Sequence, residues 1–214
     1  MIELERRGDL DVLDEAAMLD AAAFAISPAE LVARTREFIA GRYGADDGGA
    51  SLDAAFEFVG PFVGPLNREQ YIEALTGALN PGDGFSDLRG RQYGFVVDPI
   101  EPGRVWWVTR PTGTFDAPWF GAEPTGRTLE TPPQAMGVVW APSGRVRKLN
   151  VGTPMDRTAG NTGGLGGLFG FLWFVGKPLP IRECQPYRKS LAFELLNAVG
   201  SLLSRAAKLG GGGG

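Results

Sequence analysis

Residues 91–156 constrain the fold of this chain more than any other stretch. Four runs, RQYGFVV, GRVWWVTRPTGTF, QAMGVVWAP and GRVRKLNV, are rich in Val, Trp, Phe and Tyr. Such residues suit a pleated, half-buried surface. The breaks between the runs carry Pro and Gly, at Asp98-Pro99, Pro102-Gly103, 124–126 and 142–144. Pro presets φ and Gly supplies positive φ, so each break is a turn. Consecutive short strands joined by turns predict a curled antiparallel sheet whose inner face needs an apolar cover. In the central run, period two puts Val105, Trp107 and Thr109 on one face and Trp106, Val108 and Arg110 on the other. Adjacent tryptophans predict apolar cover on both faces, a pocket or helix on one side and a partner subunit on the other. Pro111 cannot donate to a ladder and predicts a bulge or sheet edge.

The cover comes from upstream. Ser27-Pro28-Ala29-Glu30 combines an N-cap, Pro at the first helical position and Glu three residues after the cap. A helix should run from there to about Tyr43, with Leu31, Thr35, Phe38, Ile39 and Arg42 inward. Residues 51–58 read as a turn and strand, and 60–65 as a rigid Gly-Pro double turn. Asn67 caps a second helix over 67–80, with Tyr71, Ile72, Leu75 and Leu79 as its stripe. A short helix over 9–25 would turn Leu10, Leu13, Ala17 and Phe24 inward.

After Asp156 the pattern changes. Residues 157–180 are glycine-rich and apolar, with neither strict alternation nor a long helical period. The glycines at 160, 163, 164, 166, 167 and 170 fit neither GxxxxGK[ST] nor GxGxxG, so no nucleotide site is expected; close backbone packing or a hinge is. Residues 187–209 then form an amphipathic helix with Leu191, Leu195, Val199, Leu202, Ala206 and Leu209 on one stripe. Arg188, Lys189, Arg205 and Lys208 flank it.

Two counts exclude chemistry. The chain has no histidine and one cysteine, Cys184. That removes Ser-His-Asp and Cys-His catalysis, histidine-ligated zinc, cysteine-cluster metal sites and an intrachain disulfide. Acid–base work would fall to Asp, Glu, Tyr, Lys or Arg, and neither metal nor cofactor is expected. A net charge of −4 argues against nucleic acid as a partner. The first twenty residues are too acidic for a transit peptide and lack an apolar h-region. The expectation is a soluble intracellular protein, in the cytoplasm or an organelle interior.

The order helix, short strand with a Gly-Pro turn, helix, then hairpin-rich sheet resembles the nuclear transport factor 2-like superfamily, also called SnoaL-like. Three segments carry the resemblance: FEFVGPFVGPLNREQYIEAL; Thr112-Gly113-Thr114-Phe115 followed by Pro124-Thr125-Gly126-Arg127; and the Ser143 to Leu149 run SGRVRKL closing at Asp156. The resemblance implies an α+β fold, a cone-shaped bent antiparallel sheet wrapped around N-terminal helices, with a cavity between them and frequent homodimers through the sheet. It divides the chain into an N-terminal helical extension (1–27), a SnoaL-like α+β barrel domain (28–156) and a C-terminal apolar segment, amphipathic helix and Gly tail (157–214). No catalytic set of the superfamily carries over. Where ketosteroid-isomerase-like members have an aspartate before the turn proline, this chain has Gly60-Pro61. Dehydratase-like members rely on histidine. Asp116, Arg110 and Asp53 do not fall in the epoxide-hydrolase motif.

Candidate site residues follow from strand position. Asp116, beside Trp119, reads either as a pocket base with a raised pKa or as a turn-stabilising Asx residue. Tyr93 and Asn150 read as polar groups on a cavity wall or as cross-strand pairs on a solvated face. Tyr93 joins Asp116 as a candidate catalytic group. Trp107, Trp119, Met136 and Trp140, with Arg110, would line a ligand pocket; the aromatics equally suit plain core.

Two functions remain in competition. One is a domain that binds a hydrophobic or aromatic small molecule in its cone, with Asp or Tyr proton-transfer chemistry of the isomerase, cyclase or dehydratase type. The other is a non-catalytic assembly module that docks to a protein complex or membrane surface through residues 165–209. An open pocket with buried polar groups would favour the first; an interior filled by its own side chains would favour the second.

Overall fold

The computed structural model describes residues 12–77 and 80–210, with side chains through 204 in the last helix. The described residues form seven strands and five α-helices. The strands are β1 Leu52–Val59, β2 Tyr93–Val97, β3 Arg104–Thr109, β4 Thr112–Thr114, β5 Thr128–Glu130, β6 Gln134–Trp140 and β7 Val146–Pro154. The helices are α1 Glu15–Ala21, α2 Pro28–Ala40, α3 Arg68–Thr76, α4 Gly167–Phe174 and α5 Leu191–Gly210.

The main sheet has the order β1-β7-β6-β3-β2. The strands of 91–156 pair antiparallel, as their turns require. β1 departs from the expectation by joining β7 in parallel, so the sheet is mixed. Nor is it a barrel: β1 and β2 lie at opposite ends of the order and do not pair. Curvature comes from irregular register, within β1–β7, β2–β3 and β6–β7.

α2 and α3 fill the concave face. Ser27 Oγ accepts from the Glu30 N–H (3.3 Å), and Leu31, Thr35 and Phe38 are buried. Arg42, expected inward, points out to Asp46 because the helix stops at Gly41 and residues 42 and 43 turn left-handed, with φ 50° and 57°. The Asn67–Gln70 capping box starts α3, which ends at Thr76 rather than 80; Tyr71 is buried, Ile72 and Leu75 partly so, and Leu79 lies outside the described residues. α1 is shorter than 9–25 and buries nothing. Ala17 is exposed and Leu13 half-exposed, Leu10 falls outside the described residues, and the contact with the core is made by Leu19 and Phe24. Phe24 lies so close over Gly103 that a Cβ there would come within 2.8 Å of the ring.

The tryptophan pair resolves unequally. Val105, Trp107 and Thr109 are buried as the alternation requires. Trp106, on the opposite face, is 36% exposed in the single chain. It lies flat across its partner residue Gly137, donates Nε1 to Asp98 at 2.8 Å and takes the Arg104 guanidinium at 4.7 Å from its ring.

At Pro111 the main-sheet pairing ends, and β4 leaves to pair with β5 in a separate two-stranded sheet. Over it sits a second core of Phe85, Phe115, Trp119 and Leu129, closed by Phe171, Leu172 and Phe174 of α4. That helix was not legible as a period because it is apolar all round, the composition of a buried helix. Of the glycines before it, Gly160 and Gly164 pack against backbone, and a Cβ at Gly160 would meet Glu130 O at 2.4 Å; Gly163 and Gly166 pack against side chains.

Candidate functional site

The concave face of the main sheet is the place where this architecture would hold a ligand, and it is occupied by the chain's own side chains. Trp107 stacks on Phe95 with centroids 6.1 Å apart; Phe38 sits edge-on to both Tyr43 and Trp140; Tyr71 packs against Phe56 and Phe58. Met136, Val138 and Leu149 complete the wall.

A few polar groups lie among these rings, buried or, for Tyr43 and Gln92, half-buried. Tyr71 Oη donates to the Tyr43 carbonyl (3.1 Å), and Tyr43 Oη accepts from Gln92 Nε2 (3.3 Å). Trp140 Nε1 donates to Thr35 Oγ1 (3.0 Å). Trp107 Nε1, equally buried, has no hydrogen-bond partner among the described residues. Burial pushes both tyrosine hydroxyls above their ordinary pKa, since the interior disfavours a phenolate. They are therefore protonated donors, suited to holding a carbonyl oxygen and unsuited to taking up a proton at neutral pH. Sequence reasoning missed Tyr43 and Gln92. The left-handed turn that swings Tyr43 inward follows Gly41, and no periodicity extends across it.

The predicted residues do not converge. Trp107, Met136 and Trp140 share the concave core. Trp119 is buried in the second core, its Nε1 unpaired. Arg110 bridges the two sheets as an ion pair with Glu130 (2.6 Å). Asn150 lies on the convex face, where its Oδ1 accepts from Arg104 at 2.8 Å. Tyr93 is half-exposed at the end of the edge strand β2. Asp116 is exposed; it accepts from both the hydroxyl and the backbone N–H of Ser86, which hold its carboxyl below the usual range rather than above it. The carboxylate thus ties its loop to Ser86, thirty residues away, rather than closing a local Asx turn. Among the described residues no cluster of three or more His, Cys, Asp or Glu is placed to hold a metal.

The described residues form at least two surface clefts. One, of about 390 Å³, runs between the end of α2 and the β6–β7 turn and is lined by Arg34, Glu37, Asp46, Asp47, Ser51 and Trp140 among others. The other, about 250 Å³, lies beside Phe24 and Pro142. Neither contains a predicted catalytic group.

AclR from Streptomyces galilaeus, described as a hydroxylase, superposes with a TM-score of 0.51 at 17% identity, over 72% of this chain and 89% of its own. The fold is SnoaL-like. A protein from Jannaschia sp. described as a SnoaL-like polyketide cyclase gives a TM-score of 0.46 at 21% identity, covering 58% of this chain and 85% of that one. IdmH from Streptomyces antibioticus, described as a polyketide cyclase, gives 0.40 at 19% identity over 54% and 88%. No family model and no curated protein matches the sequence.

Proposed function

We propose that this SnoaL-like domain is a non-catalytic assembly module that docks through its C-terminal helix. The observation that carries this reading is α5 itself. Leu191, Phe193, Leu195, Leu196, Val199, Leu202 and Leu203 are each 45–79% exposed. Seven large apolar side chains on one helix form a patch that a soluble domain does not leave uncovered without use. The filled interior supports the same reading, as does the outward placement of Asp116 and Tyr93. The test is removal of residues 187–214. A body that keeps its melting temperature, with rapid amide exchange along α5 in the isolated full-length monomer, makes the helix a docking element. A body that melts far lower, or an α5 protected in the monomer, makes it core and ends the reading.

A second reading rests on Trp107. A buried indole N–H without a partner costs about 1–3 kcal/mol, and a carbonyl ligand admitted by movement of the neighbouring rings would satisfy it. In this reading the domain binds an aromatic carbonyl compound, with Tyr43 and Tyr71 as donors for cyclase-type or isomerase-type chemistry. Titration of a small aromatic ketone against the parent and Trp107→Phe, which keeps a ring and deletes the N–H, decides it. No binding by the parent, or equal binding by both, ends it.

A further inference from the structure

We infer that the docking partner of α5 is an anionic lipid surface, on which the helix lies flat; this rests on the assembly reading above. Three observations favour it. The first is the width of the apolar face. Leu191, Leu195, Val199 and Leu202 form a stripe, and Leu196, Leu203 and Phe193 widen it to about half the circumference at 3.6 residues per turn. Glu194, Asn197, Ser201 and Ser204 share the opposite side. A seam between two helices needs only a narrow stripe, whereas a bilayer surface wets a whole half-cylinder. None of the described residues of the body covers it: a Cβ at Gly200 would meet no atom within 4 Å.

The second observation is charge. Residues 187–209 carry Arg188, Lys189, Arg205 and Lys208 against Glu194 alone, in a chain of net charge −4. The cations stand at the two ends of the segment. Pairing of α5 with a second copy therefore sets cation beside cation in either direction, parallel or antiparallel, with one weak contact of Lys189 to Glu194 (3.8 Å) in relief. Anionic headgroups are complementary at both ends at once. The third is length without sufficient apolarity: α5 has 20 residues, yet among the described residues no helix is long and apolar enough to cross a membrane. A helix of this kind lies on a bilayer and does not span it.

The experiment uses the full chain with vesicles of phosphatidylcholine alone and of phosphatidylcholine with phosphatidylglycerol, read by co-sedimentation and by helicity. The expected result is binding to the anionic vesicles, weakened by salt. Leu195→Gln with Leu202→Gln should abolish it. Arg188→Gln with Lys189→Gln should weaken it on the order of tenfold or more. Unchanged near-ultraviolet dichroism shows that the body of each variant is folded. Absence of binding to anionic vesicles overturns the inference, as does equal binding to both vesicle types. The two readings fail separately. A dimer in solution that Leu195→Gln with Leu202→Gln dissolves, without vesicle binding, retains the docking helix and makes its partner a second copy. A monomer that binds no vesicle and protects α5 from exchange removes both.

Discussion

Trp140 and Thr35, 105 residues apart, are joined in the core: the indole Nε1 donates to the threonine hydroxyl at 3.0 Å, and that hydroxyl donates onward to the Leu31 carbonyl at 2.7 Å. Both residues are at least 95% buried. The chain of two hydrogen bonds fastens β6 of the sheet to α2 and makes a polar residue tolerable on the buried face of a helix.

Thr35→Val keeps the shape and removes the acceptor, leaving the Trp140 N–H buried and unpaired. The expected cost is about 1–3 kcal/mol. In a chain of this size each kcal/mol is worth roughly 2–4 °C of melting temperature by calorimetry. Trp140→Phe in the Thr35→Val background should then cost less than in the parent, because the stranded donor is gone.

Asp116 gives a prediction in pH. Its folded pKa lies below the ordinary carboxylate value because Ser86 donates twice to the ionised form. The stabilisation is therefore complete above the ordinary aspartate range and is lost as pH falls through the depressed folded value. Ser86→Ala deletes the hydroxyl donor and leaves the backbone one. The carboxyl pKa, followed by NMR titration, should rise towards the ordinary value without reaching it. A rise to neutral pH would restore Asp116 as a candidate base.

The second core predicts how far the chain can be shortened. Phe171 packs edge-on against Phe85 at 5.2 Å, and Leu172 is 1% exposed. Phe171→Ala should cost about 3–5 kcal/mol. A chain ending at residue 160 should precipitate, because Phe85, Phe115 and Trp119 lose their cover; one ending at 186 should stay in solution with cooperative melting. Light scattering separates the two.

Gly137 and Trp106 predict a coupling on the convex face. A Cβ at Gly137 would lie 2.5 Å from the Trp106 ring. Gly137→Ala must push the indole off its Asp98 hydrogen bond and destabilise the parent. In Trp106→Ala the same change should be close to neutral. The denaturation cycle should return a coupling of about 0.5–3 kcal/mol.

The sequence by itself determined the elements whose signals are local. Ser27-Pro28 and the Asn67–Gln70 box set the starts of α2 and α3, and period two in 104–109 set which residues of β3 share a face. Pro111 marked where the main sheet gives way, and Leu191 to Leu202 marked the apolar stripe of α5. Each depends on residues within a turn or two of one another. Tertiary structure decided the rest, because pairing and burial are contacts between distant segments. It set the parallel union of β1 with β7, the open edges where a barrel was expected, and the packing of the Trp106 ring on Gly137. It also separated residues that alternation had grouped. Asn150 went to the convex face, Trp119 to a second core, and Asp116 to the surface beside Ser86. Period two fixes the face of a strand, but the direction in which a mixed and bent sheet curls, and the fate of residues beyond its ends, depend on what packs against it.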